Sequence, residues 1–138
     1  MLHTTVPDLL DARALDSPRH GIAFPDGRMD YPALAAATRR LAAALWAYGV
    51  RPGDSVGVLL QGGMDSILTW LAATRIGAVT VPVNVRFKSA ELGHVIANAD
   101  LTVLLTSTAF TELIAEACPG LGSPAAPALR TVVVLDDD

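Results

Sequence analysis

The chain is predicted to fold as an α/β domain: a partial, doubly wound, mainly parallel sheet with flanking helices and a small amino-terminal hairpin. Three observations predict this. Residues 56–60 form a continuous apolar run, as in a strand buried on both faces, and 78–83, 101–106 and 131–135 read as further strands. Segments of about ten residues with helical signals separate these runs, and strand–helix–strand crossovers of that length give parallel strands. The composition agrees, with 51% hydrophobic and 17% charged residues, against average usage of about 45–50% and about 25%. Two causes fit so apolar a chain: strands covered on both faces, or a piece that packs against more protein. Disorder is excluded, since disordered chains are poor in Leu, Val and Ile.

The elements follow in order. Residues 7–17 read as a short helix with Leu9, Leu10 and Ala14 as its apolar stripe, ended by Pro18. Residues 22–24 and 28–30 flank Pro25-Asp26-Gly27, in which Pro presets φ and Gly accepts a positive φ, so a hairpin is expected. Residues 32–48 form the clearest helix, with Leu34, Thr38, Leu41, Leu45 and Tyr48 at the spacing of one face. Pro32 suits its first turn, Gly49 its left-handed cap, and Arg39 and Arg40 lie off the stripe in solvent. Strand 56–60 is followed by a helix over 64–76 capped by Gly77, then by strand 78–83. Ser89 is the expected N-cap of a helix over 90–97. Strand 101–106, a helix over 109–117 stopped by Pro119, a Gly/Pro/Ala/Ser loop over 120–128 and strand 131–135 complete the order. That loop is too short to divide the chain, so residues 1–138 are read as one unit.

Charge and motifs narrow the function. The net charge is −4 with no basic arm, which argues against nucleic acid as a partner. Asp136, Asp137 and Asp138 are read as a loop whose continuation is missing, or as a short solvated tail. The apolar window 67–83 contains Arg75, Gly77 and Pro82, whereas a spanning helix needs about 20 apolar residues. No membrane span is expected. Residues 1–8 lack the basic and apolar regions of a signal peptide, and the lone Cys118 permits no internal disulfide, so a cytoplasmic chain is expected. Cys118 is read as a small buried side chain, not a nucleophile, because no His stands near it in sequence.

No complete catalytic motif is present: no phosphate loop ending in Gly-Lys-Ser/Thr, no Gly-x-Gly-x-x-Gly after a strand, no Gly-x-Ser-x-Gly. His3, His20 and His94 lack metal-ligand spacing. Gln61-Gly62-Gly63 follows a strand and opens a helix, where an anion is physically suited. With no Lys, Ser or Thr in the loop, the glycines read as a tight turn. Asn84-Val85-Arg86 follows the next strand; Asn84 suits a backbone hydrogen bond, and Arg86 suits a carboxylate or phosphate, or plain solvent. Asp65 is explained by the positive end of its helix.

The ordered series of segments is similar to a known family. Tyr31-Pro32-Ala33-Leu34 opens an Ala/Leu/Arg helix that runs into Gly49-Val50-Arg51-Pro52-Gly53-Asp54-Ser55-Val56. Ala72-Ala73-Thr74-Arg75-Ile76-Gly77-Ala78-Val79 then leads to Val81-Pro82-Val83-Asn84-Val85-Arg86. Ser89-Ala90-Glu91-Leu92, Ala99-Asp100 and Thr106-Ser107 follow. From about residue 8 to residue 135 this resembles the opening of acyl-CoA synthetases and related AMP-forming, adenylate-forming ligases. Many relatives have Asn, often followed by Ser or Pro, where Gln61-Gly62-Gly63 stands. The family's phosphate loop ending in Pro-Lys-Gly, its aromatic-Gly-x-Thr-Glu segment, its ribose-binding Asp and its terminal lysine domain have no match. The resemblance therefore carries over no catalytic, cofactor-binding or metal-binding residue.

The resemblance implies the amino-terminal α/β portion of a ligase large domain, truncated and without a second domain. The full-length reaction it implies converts a carboxylic acid, fatty by expectation, with ATP and CoA to acyl-CoA, AMP and pyrophosphate through an acyl-adenylate. ATP, Mg and CoA are implied for such an enzyme, and no cofactor for this chain alone, which is expected to be a silent scaffold. Its apolar bias predicts self-association through exposed strand edges and helix faces. Two alternatives stand: a non-catalytic module that docks to another ligase chain, and a small nucleotide-binding domain built on Gly62-Gly63.

Overall fold

A computed structural model describes residues 5–135. His3 and the three terminal aspartates lie outside the described residues. Helix α1 (Val6–Asp16) starts at Thr5, whose side chain accepts the Asp8 N–H. Strands β1 (Gly21–Phe24) and β2 (Gly27–Asp30) pair antiparallel, with Phe24 opposite Gly27. The connection is thus Pro25-Asp26 alone. Gly27 belongs to the strand and has no positive φ, unlike the expected turn. Asp30 caps α2 (Tyr31–Ala47) by accepting the Ala33 N–H at 2.8 Å.

Four parallel strands follow: β3 (Ser55–Leu59), β4 (Val79–Pro82), β5 (Leu101–Thr106) and β6 (Thr131–Val134), in the spatial order β4-β3-β5-β6. Helices α3 (Met64–Ile76), α4 (Ser89–Asn98) and α5 (Thr111–Ala117) make the crossovers, α5 after a short 3-10 turn over Thr108–Phe110. The chain moves outward from β3 to β4, then returns past β3 to β5. Right-handed crossovers in opposite directions place helices on opposite faces. Accordingly Leu45 of α2 and Ala72 and Ala73 of α3 pack with Val56, Val103 and Leu105 on one face. Leu92 and Ile96 of α4 and Ile114 of α5 pack with Leu59, Leu101 and Leu104 on the other. The sheet is therefore doubly wound, with its reversal between β3 and β5.

The side chains explain the register. A shift in the β3–β5 ladder after Ser55 puts Leu101 on the same face as Leu104. Gly57 makes room for both, because a Cβ there would stand 2.6 Å from one Leu101 methyl and 2.8 Å from a Leu104 methyl.

Several expectations are corrected. Strand β4 is an edge strand and only partly covered, with Val79 53% exposed. Ser89 is the first residue of α4; Lys88 holds the cap position, and its N–H bonds Glu91 Oε2 at 2.9 Å. A Glu reaches back three residues, and three residues before Glu91 is Lys88, not Ser89. Tyr48 lies past the end of α2 and is exposed, so the buried stripe is Leu34, Ala35, Thr38 and Leu45. Leu9 is exposed, while Pro7 and Leu10 bury the inner face of α1. Gly49 and Gly77 do have positive φ at the ends of α2 and α3.

Candidate functional site

In an open α/β sheet, ligands lie beyond the carboxyl ends of the strands at the reversal point. Here that point is bounded by the turn from β3 into α3 and the turn after β5. Thr106 Oγ1 donates to the Leu59 carbonyl at 3.0 Å and ties the two strand ends together. Beyond them lies a cleft of about 140 Å³ lined by Leu60, Gln61, Gly62, Gly63, Ser107 and two acids, Asp26 and Asp65.

Asp26 reaches this cleft from the tip of the hairpin. Its Oδ2 accepts the Met64 N–H at 3.2 Å, so the hairpin caps α3. Gly63 has a φ of +143°, and a Cβ there would stand 2.6 Å from the same Oδ2. Ser66 Oγ donates to the Gln61 carbonyl at 2.9 Å, fixing the loop from its other side. The Met64 N–H, one of the amide donors that would attract an anion at this helix start, already faces a carboxylate, with Asp65 also lining the cleft. The Gly62-Gly63 loop is thus a capped turn with an acidic rim, which disfavours a phosphate.

The other sequence candidates do not converge on the cleft. Asn84 Oδ1 accepts the Arg86 N–H at 3.0 Å, an Asx turn that ends the β4 connection. That loop leaves β4, on the far side of β3 from the cleft. The Arg86 side chain is exposed. His20, in the connection before β1, and His94, on α4, are also exposed. Cys118 is buried at the end of α5, its Sγ 3.2 Å from the Gly120 carbonyl. Among the described residues no group of three or more His, Cys, Asp or Glu side chains is gathered for a metal. No helix among them is long and apolar enough to cross a membrane.

Two features went unread in the sequence. The first is Asp26, which the sequence presents only as part of a turn. The second is Arg75, whose guanidinium clamps Asp11 through both oxygens at 2.6 and 3.1 Å, while its Nε donates to Thr38 Oγ1 at 2.9 Å. Arg39, expected in solvent, adds an ion pair to Asp11 at 2.9 Å. The Arg75 guanidinium first, and Arg39 second, hold the Asp11 carboxyl below its ordinary value.

A sequence profile of the AMP-binding enzyme family matches residues 10–138. Phosphinothricin tripeptide synthetase PhsC of Streptomyces viridochromogenes is 34% identical over 99% of this chain, which covers 12% of that protein. The 3-oxocholest-4-en-26-oate–CoA ligase of Rhodococcus rhodochrous is 30% identical over 96% of this chain, which covers 23% of the ligase. Among solved structures, a Mycobacterium tuberculosis fatty acyl CoA synthetase superposes with a TM-score of 0.85 at 25% identity, over 95% of this chain and 26% of that one. The amino-terminal domain of FACL13 from the same organism shares the fold, with a TM-score of 0.85 at 24% identity over 96% of this chain and 34% of that one. The chain thus spans between 12% and 34% of the length of these relatives. Sequence and fold agree over nearly the whole chain, and the chain belongs to the AMP-binding enzyme family.

Proposed function

We propose that residues 1–138 are the amino-terminal α/β portion of the large domain of an acid–CoA ligase, and that this portion is scaffold. In the complete enzyme a carboxylic acid, ATP and CoA would give acyl-CoA, AMP and pyrophosphate. The observation that carries this reading is the match along 96% of this chain to only 23% of a ligase. A fatty or other large apolar acid is the proposed substrate, in line with relatives named as a 3-oxocholest-4-en-26-oate–CoA ligase and a medium/long-chain-fatty-acid–CoA/3-oxocholest-4-en-26-oate–CoA ligase. The peptide synthetase relative favours a second reading, in which the adenylate passes to a different acceptor from CoA. The proposed location is the cytoplasm, where ATP and CoA are supplied.

The residues present do not fit a bound triphosphate and its metal. Asp26 occupies the start of α3, Asp65 flanks it, and the described residues gather no group of three or more His, Cys, Asp or Glu side chains. No chemical step is therefore assigned to them, and no catalytic, cofactor-binding or metal-binding residue is proposed within this chain. What the chain supplies in this reading is a reversal point at which β3 and β5 are tied together and α3 is capped by the hairpin.

Two assays test this. The 138-residue chain should show no acid-dependent ATP–pyrophosphate exchange above the blank. Grafted in place of the matching segment of the Rhodococcus rhodochrous ligase, it should retain measurable exchange. Exchange by the chain alone, abolished by Gly63→Val, would instead establish the nucleotide-binding alternative. A soluble, folded graft with no exchange would remove the scaffold reading.

A further inference from the structure

A second concavity lies apart from the cleft at the sheet's reversal point and shares no lining residue with it. It is a groove of about 310 Å³ between α1, the hairpin and α3, walled by Leu9, Leu10, Ile22, Ile67 and Trp70. Three large apolar side chains stand exposed around it: Val6 at 40%, Leu9 at 39% and Trp70 at 41%. Arg13 and Tyr31 line one part of this groove and also line a neighbouring hollow of about 220 Å³, which adds Ser17 and His20. The two hollows thus form one feature with an apolar stretch and a polar, cationic end.

We propose that this feature binds a small amphipathic carboxylate, with its apolar body along Leu9, Ile67 and Trp70 and its carboxylate at Arg13. The groove has the size of a small-ligand site, about 300 Å³ at the lower bound. Charge selects the head group. No carboxylate lines either hollow, and the Arg13 guanidinium makes no hydrogen bond or ion pair among the described residues. A fixed guanidinium fork matches a carboxylate through two N–H donors. Ser17, His20 and Tyr31, all residues with polar side chains, line the same end. Offsetting the dipole at the end of α1 would account for a basic residue at this position. It would not account for the apolar groove that Arg13 closes.

The test uses the full chain with Trp46→Phe, which leaves Trp70 as its one tryptophan. Decanoate, below its micelle concentration, should shift Trp70 emission saturably with a one-site isotherm, and calorimetry should agree. Arg13→Gln should weaken decanoate by at least about tenfold, the size of one charge-assisted hydrogen bond, and leave decanol unaffected. Leu9→Gln and Leu9→Asp should weaken both ligands. Leu9 and Arg13 are exposed, so circular dichroism should stay unchanged. The proposal is overturned by non-saturable binding, by equal affinity of the unsubstituted groove for decanoate and decanol, or by indifference to Arg13→Gln. It is also overturned if phosphatidylglycerol vesicles produce the Arg13-dependent shift and decanoate does not, since the groove would then be a bilayer contact.

Discussion

Gly63 carries two constraints at once. Its φ of +143° strains any L side chain, and Asp26 Oδ2 stands where a Cβ would go. Gly63→Ala should therefore lower stability by roughly 1–3 kcal/mol, read as a drop of several degrees in Tm. The strain has a partner, so a double-mutant cycle can isolate it. Asp26→Ala alone loses the cap on Met64, but in the Gly63→Ala background it also removes the collision. Its cost should be smaller there, and strict additivity would show that the two residues do not meet in this way. The glycine was legible in the sequence as a tight turn between a strand and a helix. Its reason was not, because the capping carboxylate sits 38 residues before the amide it caps. Cys118 and Asn84 were legible for the opposite cause: their partners, Gly120 and Arg86, are two residues away.

At the scale of elements, one long-range polar contact joins three helices. Asp11 of α1 meets Arg75 of α3 and Arg39 of α2, and Arg75 also holds Thr38 of α2. Around it Leu10, Leu34, Ala35 and Leu71 close an apolar cluster, so the clamp seats α1 on the α2–α3 pair. The Arg75 side chain is only 10% exposed, against 35% for Asp11. Loss of the carboxylate therefore leaves a nearly buried cation without its counter-charge. Asp11→Asn should destabilise by roughly 1–3 kcal/mol at neutral pH, with the lower end favoured by the solvent that reaches Asp11. The pH dependence has a definite sign. A carboxyl held below its ordinary value of 3.8 stabilises the fold above that value and ceases to do so as pH falls through the lowered one. The stability gap between the native chain and Asp11→Asn, followed by urea unfolding, should narrow below about pH 4. A gap constant from neutral pH to acid would show that the ionised carboxylate is not its source. Helix periodicity revealed α2 and α3 and even placed Thr38 on the inner stripe. It presented Arg75 only as an interruption in an apolar window, because period says which face a residue occupies and not what another helix brings to it.

At the scale of the whole molecule, the alternation of strands and helices predicted a parallel sheet, but nothing in it said which strands would lie at its edges. The order β4-β3-β5-β6 leaves β4 and β6 each with one open side, and the two edges differ. The Val79 and Val83 N–H groups bond toward β3, so the intervening Thr80 and Pro82 positions face outward. Pro82 has no N–H, which leaves the β4 edge short of a donor and a poor template for another strand. On β6 the Leu135 N–H bonds toward β5, so by alternation Val132 and Val134 present N–H groups outward from an unbroken Thr-Val-Val-Val strand. Val134 is also 42% exposed. Self-association of the chain should therefore run chiefly through β6. Sedimentation velocity over a range of concentrations should show association that Val134→Lys suppresses strongly and Val79→Lys weakly. Both sites are on open edges, so each substitution should change monomer stability by no more than about 0.5 kcal/mol. A chain that stays monomeric throughout has an edge protected by something other than its strand chemistry. Equal suppression by the two lysines would mean that apolar surface, not unpaired backbone, drives the contact.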